Sequence, residues 1–300
     1  MPVYTDLDIR MKQYEKVTDQ KLIRKMPVII RLDGRSFHSF TRGFKKPFDD
    51  ILINSMQQTA LYLCNNVQNC VLAYTQSDEI SLLLIDYKDF DTQPWFDNRI
   101  QKMVSTSAAL AGITFKEVFK NNIEKFGYKN IPDWDMGGTN EWLTNQQQED
   151  LKYIQNLYSA IENKYRGFDS RCFNLSKDEV TNYFFWRQQD CIRSSIQMVA
   201  QTYFPQAALQ HKSINTIKET LLKKKNIDWE NNFETYKQRG SCCIKTYKNH
   251  EGWEPVKDNN EKIGEIRCET QRSYWIIDEN IPIFKNEGRE YIDRLLYVGE

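Results

Sequence analysis

CVLAYTQSDEISLLLI, residues 70–85, consists of two apolar runs, Cys70-Val71-Leu72-Ala73 and Ile80-Ser81-Leu82-Leu83-Leu84-Ile85, on either side of a polar centre, Gln76-Ser77-Asp78-Glu79. Short apolar runs bounded by turn-forming residues read as strands, and the polar centre closes these two into a tight hairpin. Upstream, Val28-Ile29-Ile30 leads into Arg31-Leu32-Asp33-Gly34-Arg35-Ser36-Phe37-His38, a second place where an apolar strand ends on an acid. Between strand and hairpin, Asp49 stands at the N-cap of a helix whose Leu52, Met56, Ala60 and Leu63 share one face. A further helix is expected from about Asp97 to Phe119, burying Ile100, Met103, Val104, Ser107, Ala108 and Ala111. Strand, helix, hairpin, helix is the skeleton of a ferredoxin-like or polymerase palm-type antiparallel sheet with packed helices, so the fold class is α+β.

Beyond this skeleton the chain reads as mainly helical. Gly127 to Gly138, with Pro132 and Gly137, is expected as a loop, and Asn145 to Lys164 as a Gln-rich helix. Ser176-Lys177-Asp178-Glu179 fits a capping box that opens a long helix through Tyr183, Trp186, Asp190 and Ile196. A shorter helix covers Ser213 to Lys225, and strand character returns at Ser241 to Tyr247 and Tyr274 to Ile277. The expected division is a palm-type catalytic domain over residues 1–135, with residues 136–300 packed on it.

Composition narrows the function classes. At 300 residues and 40% apolar content the chain can fill a substantial core. Lys plus Arg equals Asp plus Glu at 41 each, so any nucleic-acid surface is a local patch and not a bulk charge. The seven cysteines are odd in number and contain no C-x-x-C pair, which argues against a disulfide framework or a zinc site. Adjacent Cys242-Cys243 reads either as a redox pair or as residues alternating across a strand. With no membrane-length apolar run and no signal-peptide core, the expectation is a cytoplasmic, reduced protein without a membrane partner.

The acids carry the chemistry. If the two strands are neighbours, Asp33 and Asp78 point at one spot, where paired carboxylates repel each other unless a cation sits between them. That is the plan of a two-magnesium phosphoryl-transfer site. Asp33, the Gly34 carbonyl and Asp78 are the candidate metal ligands. Gly34, lacking a Cβ, lets the main chain come close to an ion and a triphosphate, and Glu79 is a candidate outer partner or holder of a metal-bound water. Arg35, Lys46 and Lys102 are candidates for phosphate contacts, or else a solvated basic face. Phe37 and His38 are placed to bracket a base or ribose, with a core role as the alternative for Phe37. Arg187, Asp190 and Arg193, spaced by three along one helix, read equally as RNA contacts or as an intrahelical ion-pair ladder.

These residues resemble the tRNA-His guanylyltransferase superfamily. RLDGRSFHSF with Lys46-Pro47-Phe48-Asp49 is similar to its nucleotide and metal loop, and AYTQSDEISLLL to its second acidic hairpin. Phe168-Asp169-Ser170-Arg171 resembles an F-D-x-R element, and Trp186-Arg187-Gln188-Gln189-Asp190-Cys191 the W-R-Q-x-D-C of its long helix. The resemblance implies two magnesium ions, ATP, GTP and other nucleoside triphosphates as substrates, tRNA as partner and a homotetramer. It implies that Asp33 and Asp78 are catalytic with Glu79 beside them. It further implies that the nucleotide lies against Asp33, Gly34, Arg35, Ser36, Phe37, His38 and Ser77, and that the second half serves RNA binding and oligomerisation. Members that recognise histidine tRNA carry H-I-N-N-L-Y-N after W-R-Q-x-D-C, whereas this chain reads Ile192-Arg193-Ser194-Ser195-Ile196-Gln197-Met198. Together with Arg239-Gly240-Ser241-Cys242-Cys243 and Trp275-Ile276-Ile277-Asp278-Glu279 ahead of Ile281-Pro282-Ile283-Phe284, this is similar to the bacterial and archaeal guanylyltransferase-like branch. That branch implies templated 3′-to-5′ addition to 5′-truncated tRNA after activation by ATP, and the stretch from Trp134 to Tyr165, with no counterpart in the resemblance, is expected to be an insertion. The rivals are addition of a single guanosine to histidine tRNA, a palm-type nucleotide cyclase, and a non-catalytic RNA-binding module. A cyclase hairpin reads G-G-[DE]-E-F, where this chain has Gln76-Ser77, and simple RNA binding gives no reason to cluster acids.

Overall fold

Strands β1 (Val28–Gly34), β2 (Cys70–Gln76), β3 (Glu79–Leu84), β4 (Phe168–Asn174), β5 (Ser241–Asp258) and β6 (Glu261–Asp278) form one antiparallel sheet in the order β4-β1-β3-β2-β5-β6. The structure, a computed structural model, describes residues 5–132, 134, 143–258 and 261–297, and of 250–258, 261–266, 268 and 269 only the backbone. The helices are α1 (Asp6–Lys16), α2 (Phe37–Phe40), α3 (Asp50–Asn66), α4 (Ile100–Asn130), α5 (Asn145–Asn163), α6 (Lys177–Tyr203), α7 (Gln206–Leu209), α8 (Ile214–Lys225), α9 (Trp229–Asn232), α10 (Thr235–Arg239) and α11 (Glu290–Leu296).

Both faces of the sheet are covered, which is why β3 reads as an almost unbroken apolar run instead of alternating. On one face Ile30, Leu32, Ala73, Ile80, Leu82 and Cys243 pack against Met56, Ala60 and Leu63 of α3, Phe115 and Phe119 of α4, and Ile154 and Leu157 of α5. On the other, Ile29, Leu72, Tyr74, Leu83 and Cys242 pack against Val180, Tyr183 and Phe184 of α6 and Ile292 and Leu296 of α11. Cys242 and Cys243 therefore alternate across the strand, one on each face, and no disulfide joins them. A third cluster joins the C-terminal part of α6 (Ile196, Val199, Ala200) to Ile217 and Leu221 of α8 and to Trp229.

The expected skeleton holds, with Asp49 at the N-cap of α3, where its carboxylate accepts the Leu52 N–H at 3.0 Å. Several boundaries differ. Helix α4 continues to Asn130 instead of stopping near Phe119, because Ile123 and Gly127 are buried and a lone glycine costs only about 1 kcal/mol in a helix. At Gly127 an added Cβ would lie 2.6 Å from the Trp134 ring. Of the loop expected over Gly127 to Gly138, residues 133 and 135–138 lie outside the described residues. Ser176 sits at the N-cap of α6 without a side-chain capping bond, whereas Thr144 and Gln147 form a full capping box on α5. In the stretch expected as an insertion, residues 135–142 are outside the description. The rest contains α5, which braces the loop before α3: Tyr153 donates to Asp49 at 2.6 Å and Asn156 to the Gly43 carbonyl at 3.0 Å. Three of the six strands come from residues beyond 135, so the second half supplies sheet as well as helices.

Candidate active site

The two acidic strand ends stand side by side. Asp33 is the register partner of Glu79, and the Gly34 N–H donates to the Asp78 carbonyl at 3.0 Å. The β2–β3 turn closes on Ser77 at φ 49°, a left-handed conformation, and the Ser77 hydroxyl donates to the Asp78 carboxylate at 3.0 Å. Burial pushes the Asp78 carboxyl above its ordinary range; the Ser77 hydroxyl opposes this, and the charge of Asp33 adds to the upward push. Asp78 has no ion-pair partner among the described residues. It is a half-buried carboxylate facing a second acid, the arrangement a cation would relieve.

Among the described residues, no three His, Cys, Asp or Glu side chains gather as a metal site. The donor set here is two carboxylates and a main-chain carbonyl. That set fits magnesium, which keeps most of its coordination for water and phosphate oxygens, and it does not fit a metal needing a full protein cage.

Glu79 is engaged elsewhere. Its carboxylate accepts from Arg31 at 2.9 Å and Arg187 at 3.1 Å with only 5% of the residue exposed, so it anchors two guanidiniums and does not stand free as an outer ligand. Burial raises its carboxyl and the two arginines oppose that rise. Arg31 also reaches Asp33 at 3.3 Å, which ties the first acid to the same network. Arg187 continues to Asp190 at 3.5 Å, and Asp190 to Arg193 at 3.1 Å. Of the two readings of this trio, the ladder is the one found. Arg187 is buried and unavailable to RNA, while Arg193 stays exposed.

A cavity of about 310 Å³ opens beside Asp78, between the loop before α3, the β2–β3 turn, α6 and α10. Of the candidate nucleotide residues, Phe37, His38, Lys46, Ser77 and Asp78 line it, whereas Asp33, Gly34, Arg35, Ser36 and Lys102 lie outside its wall. Lys46 has no ion-pair partner among the described residues. Its neighbour Lys45 is drawn off toward Asp150 and lies over the Phe126 and Tyr153 rings. Phe37 is a core residue, 3% exposed, with ring centroids 5.0 Å from Phe40 and 5.5 Å from both Phe115 and Phe168. It cannot swing out to clasp a base. The absent side chain of Gly34 serves this packing, because a Cβ there would overlap the Phe37 ring. Overpacking at a rigid site costs about 1–3 kcal/mol. Gly34→Ala is therefore expected to lower stability in urea unfolding by that amount, and an unchanged midpoint would contradict the packing role.

Sequence reasoning missed the wall contributed by Cys191, Ser194, Ser195 and Met198 of α6 and by Tyr236 and Lys237. The spacing of small residues at 191, 194 and 195, followed by Met198 on the same helix face, was the available signal. Burial pushes the Cys191 thiol up to about 12, so it acts as wall and not as nucleophile.

Residues 8–176 match the family model described as Thg1, tRNAHis guanylyltransferase. A bacterial tRNAHis guanylyltransferase (Thg1)-like protein solved in complex with ATP is similar over 98% of this chain and 100% of its own, at 33% identity and a TM-score of 0.72. One solved in complex with GTP is similar over the same shares at 31% identity and a TM-score of 0.68. A probable tRNAHis guanylyltransferase of Dictyostelium discoideum is 24% identical over 299 residues, covering 94% of this chain and 96% of its own.

Proposed function

This chain belongs to the tRNAHis guanylyltransferase family, whose named members are nucleotidyltransferases, and we propose that it extends the 5′ end of a tRNA in the 3′-to-5′ direction under direction of the opposing strand. The observation that carries this reading is the make-up of the cavity wall. Where histidine-tRNA-reading members carry H-I-N-N-L-Y-N, this chain gives Ser194, Ser195 and Met198 to the wall. Two side-chain amides become hydroxyls and a third becomes a thioether. Ser195 is already committed, donating to the Lys237 carbonyl at 2.9 Å and accepting from the Trp229 indole at 3.0 Å. The α6 part of the wall thus offers no amide to read a ligand's polar groups and discriminates less among them, so nucleotide choice passes to base pairing with a template.

The chemistry has two displacements. The RNA 5′-phosphate attacks the α-phosphorus of ATP and expels pyrophosphate, leaving AMP linked to the RNA end. The 3′-hydroxyl of the incoming nucleoside triphosphate then attacks the RNA 5′-phosphorus and expels AMP, leaving a new 5′-triphosphate. Asp33, Asp78 and the Gly34 carbonyl would hold magnesium, which when bound supplies charge neutralisation to the transferring phosphoryl group and acidity to the attacking hydroxyl. Lys46 neutralises the pyrophosphate leaving group from the cavity side. The Ser77 hydroxyl orients the Asp78 carboxylate, and the Arg31–Glu79 pair keeps Asp33 in place at the strand end.

The test offers 5′-truncated tRNAs bearing monophosphate or triphosphate ends with each nucleotide in turn. The base added is expected to follow the nucleotide opposite it, and guanosine added whatever stands opposite would favour the single-guanosine reading. Incubation with ATP or GTP alone is expected to give no cyclic product. For Lys46→Ala we expect activation of monophosphate ends to fall by at least about tenfold more than addition to triphosphate ends, which need no activation. Equal losses in the two assays would remove Lys46 from the activation step.

A further inference from the structure

Trp186 stands 51% exposed in the middle of α6, although tryptophan is on average among the more buried residues. Its ring is not loose. The Arg187 guanidinium carbon lies 3.5 Å from the ring centroid, and Tyr183 meets the ring near edge-on with centroids 6.1 Å apart. Arg187 is itself held by Glu79, so the indole is backed by a cation that cannot move away. No further ring or cation contacts Trp186 among the described residues, which leaves its other face open.

The ring's position joins it to the acids. Trp186, Asp190 and Arg193 follow i, i+4, i+7 spacing along one stripe of α6, exposed at Trp186 and Arg193 and half-buried at Asp190, whereas Cys191, Ser194 and Met198 line the cavity. Along the sheet edge, β4 sets Asp169 opposite Asp33 and Arg171 opposite Arg31, while Phe173 meets the Tyr183 ring with centroids 5.7 Å apart. The Arg171 and Arg193 side chains are 55% and 56% exposed; each is paired through one nitrogen, with Asp169 at 3.3 Å and Asp190 at 3.1 Å, and keeps the rest of its guanidinium in solvent. Through Arg187, Glu79 and Arg31 the indole is therefore tied to the network that holds Asp33, and it stands outside the wall of the cavity that Asp78 lines. An immobilised aromatic face beside exposed cations is how proteins hold unpaired bases at a strand end.

We propose that Trp186 is the stacking platform for the terminal base of the RNA 5′ end, presenting the adjoining phosphate to Asp33 and Asp78 from outside the nucleotide cavity. The inference rests on the nucleotidyltransferase reading above. Arg187 serves as a positioning residue that keeps the ring flat, and Arg171 and Arg193 face the RNA backbone.

The experiment uses the full chain and a 5′-monophosphorylated hairpin RNA with 2-aminopurine as its terminal base. Wild type is expected to quench the 2-aminopurine on binding, and Trp186→Ala to bind without quenching. In turnover, Trp186→Ala should raise the KM for this RNA roughly 10- to 100-fold, the loss typical of one stacked base, and leave the KM for ATP unchanged. Trp186→Phe keeps a ring and should stay within about threefold of wild type. On an RNA whose terminal nucleotide is abasic, wild type and Trp186→Ala should perform alike. Equal loss on abasic and purine ends would overturn the proposal, as would a matching rise in the KM for ATP. Unchanged RNA kinetics with a smaller sedimenting species would overturn it too, making the ring a contact between protein copies. Wild type that activates no RNA end would count against the underlying reading; active wild type with an indistinguishable Trp186→Ala sinks the platform alone.

Discussion

Asp78→Asn is expected to abolish both activation and nucleotide addition, by at least on the order of 10³-fold, while making the protein more resistant to heat. The two effects share one cause. Burial and the Asp33 charge both push the Asp78 carboxyl up, so its ionised form opposes folding in the absence of a cation. For a carboxyl raised in the folded state, that opposition is fully present above the raised folded-state pKa and is relieved as pH falls through it. In divalent-free buffer the melting temperature of the wild type should therefore rise, relative to that of Asp78→Asn, as pH is lowered from neutral into the raised carboxylate range. Magnesium should raise the wild-type melting temperature and leave the variant unmoved. A variant that retains near-normal turnover, or melts below wild type throughout, would show that Asp78 is an ordinary turn residue.

Glu79, the next residue, is expected to behave in the opposite sense. Glu79→Gln keeps the shape and removes the charge, leaving Arg31 and Arg187 with side chains 18% and 6% exposed and their shared anion gone. Breaking a buried ion pair at one partner costs about 3–5 kcal/mol, because the charge left behind stays buried. Burial does push the Glu79 carboxyl up, but neutralising it strands two cations, and Arg187 has only Asp190, at 3.5 Å, in reserve. The urea midpoint should drop with an unchanged slope, and activity should fall as well, since Arg31 also positions Asp33. A stability loss under about 1 kcal/mol, the range of an exposed pair, would mean that the network is solvated and marginal.

The contrast between these neighbours marks what the sequence could and could not say. Both acids were legible as the tip of a hairpin, because two apolar runs around Gln76 to Glu79 admit little else, and the Val28–Leu32 run put a third acid at a strand end. That Asp78 is left to face Asp33 while Glu79 turns to Arg187 follows from strand alternation and from a residue 108 positions away, and no local pattern encodes that distance. Gly34 was legible as a special position, since a glycine between acid and base suggests room for a ligand at its main chain, but the packing of the Phe37 ring against its missing side chain was not. Strand β4 escaped notice because Phe168–Asn174 is a half-exposed edge with a polar sequence, and the extension of α4 because tertiary burial outweighs one glycine. The cavity wall on α6 was hidden for a related reason, since small residues on a helix announce a close approach without saying to what.

Anomalous diffraction from crystals grown with manganese and ATP puts the pairing of the two acids to the most direct trial. The expected map has a metal peak within about 2.2 Å of carboxylate oxygens from both Asp33 and Asp78, beneath the triphosphate. A peak bound by one acid alone, or bound away from both, would contradict joint coordination and with it the chemistry assigned to this site.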